Sequence, residues 1–173
     1  MYAALALMTG LAAWGWLRHP AAAQPVRRYA IALSGDEAIT LESPSGLAIS
    51  PDGERVAHVG QSSAGVYQIW IRDRDQLYAR PLDGTTDPSS LAFSPDGRQI
   101  AFIANNPRAL KIASVDGGNV VMVADSQIAN GGLAWGRDGF LYAAGEFNGA
   151  YGIIRFPVSG GALSPVTKID SAS

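Results

Sequence analysis

The sequence predicts an all-β chain: a partial β-propeller of three four-stranded antiparallel blades, preceded by one N-terminal membrane helix. Three observations carry that reading. Ser-Pro-Asp-Gly stands at Ser50–Gly53 and again at Ser94–Gly97, with a worn copy, Gly-Arg-Asp-Gly, at Gly136–Gly139. Each copy follows a short apolar run: Leu47-Ala48-Ile49, Leu91-Ala92-Phe93 and Leu133-Ala134-Trp135. The runs recur after 44 and then 42 residues, within the ~40–45-residue period of a propeller blade.

The N-terminal element comes first. Tyr2–Leu17 carries no charge and is built of Ala, Leu, Met, Gly, Trp and Thr with a single Tyr. As a helix it spans roughly 24 Å at about 1.5 Å per residue, short of the ~30 Å bilayer core. Trp14, Trp16 and Arg18 suit an interface, where aromatic rings and basic heads collect. An anchor fits these residues. A secretory signal cut near Gln24, after Ala21-Ala22-Ala23, also fits, but lacks a basic n-region. A buried soluble helix is the third reading. Arg18, Arg27 and Arg28 follow the segment, so a literal positive-inside count keeps the repeats in the cytoplasm, a count that residues upstream of Met1 in a longer protein would reverse.

Residues 18–44 read as a linker and lead-in strand. Pro20 and Pro25 keep the Ala/Pro stretch extended, and Arg28–Leu33 reads as a lone strand. Blade 1 is expected over 45–88, with strands Gly46–Ser50, Arg55–Val59, Tyr67–Asp73 and Leu77–Leu82. Blade 2 is expected over 89–130, with strands Ser90–Ser94, Gln99–Ala104, Leu110–Val115 and Val120–Ala124. Blade 3 is expected over 131–173, with strands Gly132–Trp135, Phe140–Ala144, Tyr151–Val158 and Pro165–Ile169. Asp83-Gly84, Asp116-Gly117-Gly118 and Ser159-Gly160-Gly161 punctuate the gaps as hairpin turns.

The Pro-Asp-Gly step has a mechanical reason. Proline presets φ, aspartate bonds nearby amides, and glycine takes the positive-φ position. The second strands are informative too. Val56-Ala57-His58-Val59 and Ile100-Ala101-Phe102-Ile103 are apolar in both parities. A sheet with one wet face alternates, so these strands need cover on both sides, as a blade between neighbours has.

Composition bounds the function. A net charge of −2 gives no basic surface for nucleic acid. With no cysteine, the chain has no disulfide, thiolate metal site or cysteine nucleophile.

Leu-Ala-Phe-Ser-Pro-Asp-Gly-Arg-Gln-Ile-Ala-Phe, at Leu91–Phe102, resembles the blade motif of TolB-type, WD-repeat-like propellers. Ile69–Thr85 is similar to the first blade of the propeller attached to bacterial receptor-type serine/threonine kinases. In that family a kinase domain precedes one membrane helix, a short linker, an Arg-Arg-Tyr/Phe-x-Ile strand and the propeller. Tyr2–Leu17, His19–Pro25 and Arg28–Leu33 follow that order. The kinase motifs themselves are absent, so the resemblance transfers no catalytic residue. Propellers close with about four to eight blades. The expectation is therefore an anchor plus roughly the first half of a propeller, needing further blades or self-association.

Candidate sites reduce to structure. Asp52, Asp96 and Asp138 are explained by their turns, since calcium needs several convergent oxygens. The repeat aligns His58 with Phe102 and Ala143, which marks a packing slot. His58 and the linker's His19 make no metal site. Ser43-Pro44-Ser45-Gly46 and Gly60-Gln61-Ser62-Ser63-Ala64-Gly65 read as turns, lacking the nucleophile-elbow pattern. Arg72, Asp73, Arg74 and Asp75 read as solvated hairpin ion pairs. Trp70, Trp135, Tyr142 and Tyr151 read as blade core.

No catalytic, cofactor-binding or metal residue is assigned. The reading is a membrane-anchored, non-catalytic propeller segment that binds a protein or small ligand, resembling a receptor-kinase sensor with its propeller outside the cytoplasm. Two alternatives stand beside it: a propeller fragment of a prolyl-oligopeptidase-type hydrolase, and a periplasmic TolB-type envelope protein.

Overall fold

A computed structural model describes residue 14 and residues 46–125 and 128–167. The expected membrane helix, apart from Trp14, lies outside the described residues, as do the linker and the lead-in strand. Among the described residues no helix is long and apolar enough to cross a membrane.

Among the described residues, twelve strands form three separate four-stranded sheets, each a simple meander. Blade 1 is β1 (Leu47–Ile49), β2 (Arg55–Gln61), β3 (Tyr67–Asp73) and β4 (Arg80–Leu82). Blade 2 is β5 (Pro88–Phe93), β6 (Gln99–Asn105), β7 (Arg108–Ser114) and β8 (Val120–Ala124). Blade 3 is β9 (Ile128–Trp135), β10 (Phe140–Phe147), β11 (Ala150–Pro157) and β12 (Ser164–Pro165). The first strands β1, β5 and β9 lie side by side, as inner strands of a propeller do.

The repeat read from the sequence is also a repeat of register. Leu47 pairs with His58, Leu91 with Phe102 and Leu133 with Ala143. Several expected strands differ from those observed, among them the last of blade 3, which covers Ser164–Pro165 where Pro165–Ile169 was expected, with residues 168 and 169 outside the described residues. The last strand of blade 1 is only Arg80–Leu82. Leu77 and Tyr78 stay outside it, at 77% and 72% exposure, because a turn at Asp73–Gln76 carries the chain away first. The first strand of blade 3 begins earlier than expected, at Ile128, where Arg108 Nη1 donates to the Ile128 carbonyl.

Two cores hold the blades together. Ala57, Val59, Ile69, Ile71 and Leu82 of blade 1 cluster with Leu91, Phe93, Ile100, Phe102 and Ala113 of blade 2. The opposite face of blade 2, with Ala101, Ile103, Leu110 and Ile112, clusters with Leu141, Ala143, Ile154 and Phe156 of blade 3. Residues 100 to 104 of β6 are therefore all buried, with alternate side chains serving alternate cores. That is the physical meaning of a strand apolar in both parities.

Candidate functional site

The Ser-Pro-Asp-Gly turns hold two of the repeated carboxylates, Asp52 and Asp96. In the first, Ser50 Oγ donates to Asp52 Oδ1 at 2.5 Å. The same Asp52 oxygen accepts the Glu54 amide, and Ser50 Oγ accepts the Arg55 amide at 2.9 Å. The second repeats this bond for bond: Ser94 Oγ to Asp96 Oδ1, the Arg98 amide to Asp96, and the Gln99 amide to Ser94 Oγ. Gly53 and Gly97 take φ of +71° and +70°, where a side chain is strained. The serine hydroxyl holds the Asp52 and Asp96 carboxyls below the usual carboxylate range, and backbone amides add to it. Each carboxylate is engaged within its own turn.

The worn copy does the same job with other parts. Gly136 stands where the others have serine, and a Cβ there would collide with Asp138 Oδ1. Tyr142 donates its hydroxyl to Asp138 Oδ2 at 2.5 Å instead. That bond lowers the Asp138 carboxyl and raises the Tyr142 phenol. Tyr142 stands in the register slot of Ala57 and Ala101. Serine with alanine has been exchanged for glycine with tyrosine.

The charge cluster at the end of β3 reaches beyond its hairpin. Asp73 accepts Arg55 Nε at 2.8 Å, and Arg55 Nη1 donates on to the Gly97 carbonyl of blade 2. Arg80 Nη2 donates to the Val115 carbonyl at 2.6 Å. Arg108 crosses from blade 2 to blade 3, and so does Ser90, whose Oγ donates to the Gly131 carbonyl at 2.7 Å. Sequence reasoning missed these stitches. Their acceptors are backbone carbonyls, which leave no trace in a sequence.

The remaining candidates fall in different places. His58 is 2% exposed. Ser43 and Ser45 lie outside the described residues. Of the stretch read as a turn, Gly60 and Gln61 end β2, paired with Gln68 and Tyr67, and only residues 62–65 turn the hairpin, where Gln61 Nε2 donates to the Gly65 carbonyl. Trp135 packs against the core shared by blades 2 and 3. Tyr142 and Tyr151 lie on the outward face of blade 3 rather than in its core, with Tyr151 59% exposed. Among the described residues no group of His, Asp and Glu could hold a metal ion.

Both outward faces expose apolar side chains, and Val66, Leu77, Tyr78, Val121 and Met122 are exposed elsewhere. Blade 1 presents Leu47 and Ile49, 53% and 62% exposed. Blade 3 presents Tyr151, Ile153 at 45% and Val166 at 49%. On that face Arg155 donates to Ser164 Oγ and lies 4.6 Å over the Phe140 ring.

Residues 76–172, more than half of the chain, match the lipoprotein LpqB β-propeller domain. The chain belongs to this LpqB-type propeller family. Comparison with curated proteins returns no match. Among solved structures, a putative TolB from Agrobacterium tumefaciens is similar with a TM-score of 0.63 and 20% identity, over 72% of this chain and 46% of the other. TolB from Acinetobacter baumannii gives 0.61 and 17%, over 70% and 31%. A chain of a nidogen/laminin complex gives 0.58 and 18%, over 72% and 48%. These likenesses establish a TolB-like β-propeller fold. The LpqB-type chain spans less than half the length of each.

Proposed function

We propose that this LpqB-type chain is a non-catalytic binding segment of the cell envelope. Residues 2–17 hold it in the membrane, and the propeller stands outside the cytoplasm to engage a protein or small ligand. The observation that carries this reading is the match of residues 76–172 to a lipoprotein propeller domain. The repeated carboxylates add support, because each is engaged in its own turn. The order of apolar segment, Pro-bearing linker and propeller resembles the sensor region of a receptor kinase, with sensing passed through the membrane helix.

The test is fractionation of the tagged full chain in a bacterial host, with protease added to spheroplasts and the N-terminus read by mass spectrometry. The proposal expects membrane-bound chain, an uncleaved N-terminus and a propeller digested from outside. A soluble periplasmic product cut near Gln24 would favour the TolB-type envelope reading. A propeller protected from protease would overturn both.

A further inference from the structure

We infer that the outer edge of blade 2, strand β8, is a docking site for an extended, carboxylate-bearing segment of a partner protein. The segment adds to the sheet as a fifth strand beside Val120–Ala124, with its acidic side chain towards Lys111. This rests on the reading of the chain as a binding segment and names the place where binding occurs.

The edge stays open whatever else joins the arc. β8 stands last in the order of its sheet. The first strands β1, β5 and β9 lie side by side on the inside, so β8 lies on the circumference. Further blades add around the axis, ahead of blade 1 or behind blade 3, and do not reach the outer edge of blade 2. Blade 2 also has a described neighbour on each face, yet Val121 and Met122 remain 59% and 60% exposed. Apolar surface left bare on a blade flanked on both sides is not a face awaiting its next blade.

Propellers keep their edges short and protected, and a proline or a charge on an outer strand blunts it. The other two outer strands follow this. β4 is three residues long with Arg80 and Pro81, and β12 is two with Pro165. β8 has five residues, Val-Val-Met-Val-Ala, with neither device. Val120, Val121 and Met122 pair in unbroken register with Ala113, Ile112 and Lys111, and a bulge follows at Val123. The added strand therefore registers on Val120–Met122, where the main-chain groups on the outer side have no ladder partner.

Lys111 sets the charge of the occupant. It pairs with Phe102 on one side and Met122 on the other, so all three share the side facing blade 1. Among the described residues Lys111 enters no ion pair. An added strand lies two spacings of about 4.8 Å from β7, a gap that the lysine stem and a facing glutamate close between them across Met122. Val121 pairs with Ile112 and lies on the other side, where it meets an apolar residue of the segment. A second copy of this chain is a poor occupant. Two β8 edges joined antiparallel bring two Lys111 cations to one face. Their seam is about 17 Å long, too small for the ~800 Å² per partner of a stable pair of folded proteins. An extended segment draws instead on main-chain hydrogen bonds, with side chains on alternate faces giving specificity.

The probe is the peptide acetyl-Thr-Val-Glu-Val-Thr-amide, titrated into the isotope-labelled full chain in mild detergent and followed by NMR. Saturable shifts and slowed amide exchange, centred on β8 and the adjoining β7, are expected. The counterpart peptide with lysine for glutamate should bind about fivefold more weakly, the scale of an exposed ion pair. Lys111→Glu should reverse that preference. Circular dichroism checks that the variant keeps its strands, and Lys111→Gln replaces it if it unfolds, with the two peptides then binding alike. The absence of a saturable shift overturns the inference, as do shifts centred on another strand. So does a preference that the Lys111 substitution leaves unchanged, or a dimer formed through β8 that excludes the peptide. None of these outcomes alters the fractionation result, so failure of the site and failure of the envelope reading are told apart.

Discussion

Blade 2 and blade 3 have the same strands, the same register and nearly the same turn, yet their central strands are buried differently. In β6 every residue from Ile100 to Ala104 is buried. In β10 burial alternates, with Leu141 and Ala143 inside and Tyr142 and Ala144 partly exposed. The neighbouring β11 alternates as well: Ile154 and Phe156 are buried, Tyr151 and Ile153 exposed. Blade 2 has a neighbour on each side, and the described arc covers blade 3 on one. A blade's chemistry is thus set by what lies next to it as much as by its own hairpins.

The largest effect that would break this comparison comes from truncating each blade in turn. Phe102→Ala should cost about 3–5 kcal/mol, since the ring is fully buried and its loss leaves a cavity. Ile153→Ala should cost under about 1 kcal/mol, because its side chain is nearly half exposed and little apolar area is lost from burial. Urea unfolding of the full chain, wild type against each variant, measures both. Equal costs would mean that blade 3 is covered as blade 2 is.

A second effect tests the exchanged turn. Gly136→Ser should destabilise by about 1 kcal/mol, since a Cβ there meets the Asp138 carboxyl and the Tyr142 ring, which must turn away and give up their hydrogen bond. Adding Tyr142→Ala restores the serine–alanine pairing of the other blades, and the double mutant should recover most of the loss. A double-mutant cycle should give a coupling of at least ~1 kcal/mol. Simple additivity would mean that the two positions do not compensate each other.

Much of this was legible in the sequence, and the reason is local. A turn needs its own serine, aspartate and glycine, so the blade junctions are written at fixed places. A strand between two neighbours must be apolar in both parities, so Ile100–Ile103 declared its surroundings. The fourth strands were less legible. An outer strand pairs on one side only, so composition makes Leu77 and Tyr78 look like strand while the Asp73–Gln76 turn removes them. The aspartates were correctly read as turn residues, but the role of Tyr142 was missed. The signal available was Gly136 in a serine position.

A third effect is smaller and depends on pH. Ser94→Ala should cost about 1 kcal/mol for its lost hydrogen bonds and let the Asp96 carboxyl rise towards its ordinary value. Asp52, Asp96 and Asp138 all have lowered values in the folded chain. Their stabilisation is complete above the unfolded carboxylate value, about 3.9. It is lost as pH falls through their own lower values. Acid unfolding of Ser94→Ala should therefore depend less steeply on pH below about 4. Carboxyl chemical shifts followed by NMR give the same answer residue by residue. An unchanged Asp96 titration would mean that the serine is not what holds it down.

The smallest effect sharpens the contrast at the open end. Leu47→Ser should change stability by no more than about 0.5 kcal/mol, whereas Leu91→Ser, in the equivalent slot but 5% exposed, should cost several times more.

The central claim is that three sheets stack face to face in one repeating register, and nuclear Overhauser contacts between side chains test it most directly. The Phe102 ring should show contacts to the Val59, Ile69 and Ile71 methyls of blade 1, while Ile103 and Leu110 contact Ile154 and Phe156 of blade 3. Contacts confined within each sheet, with none between these sets, would contradict it.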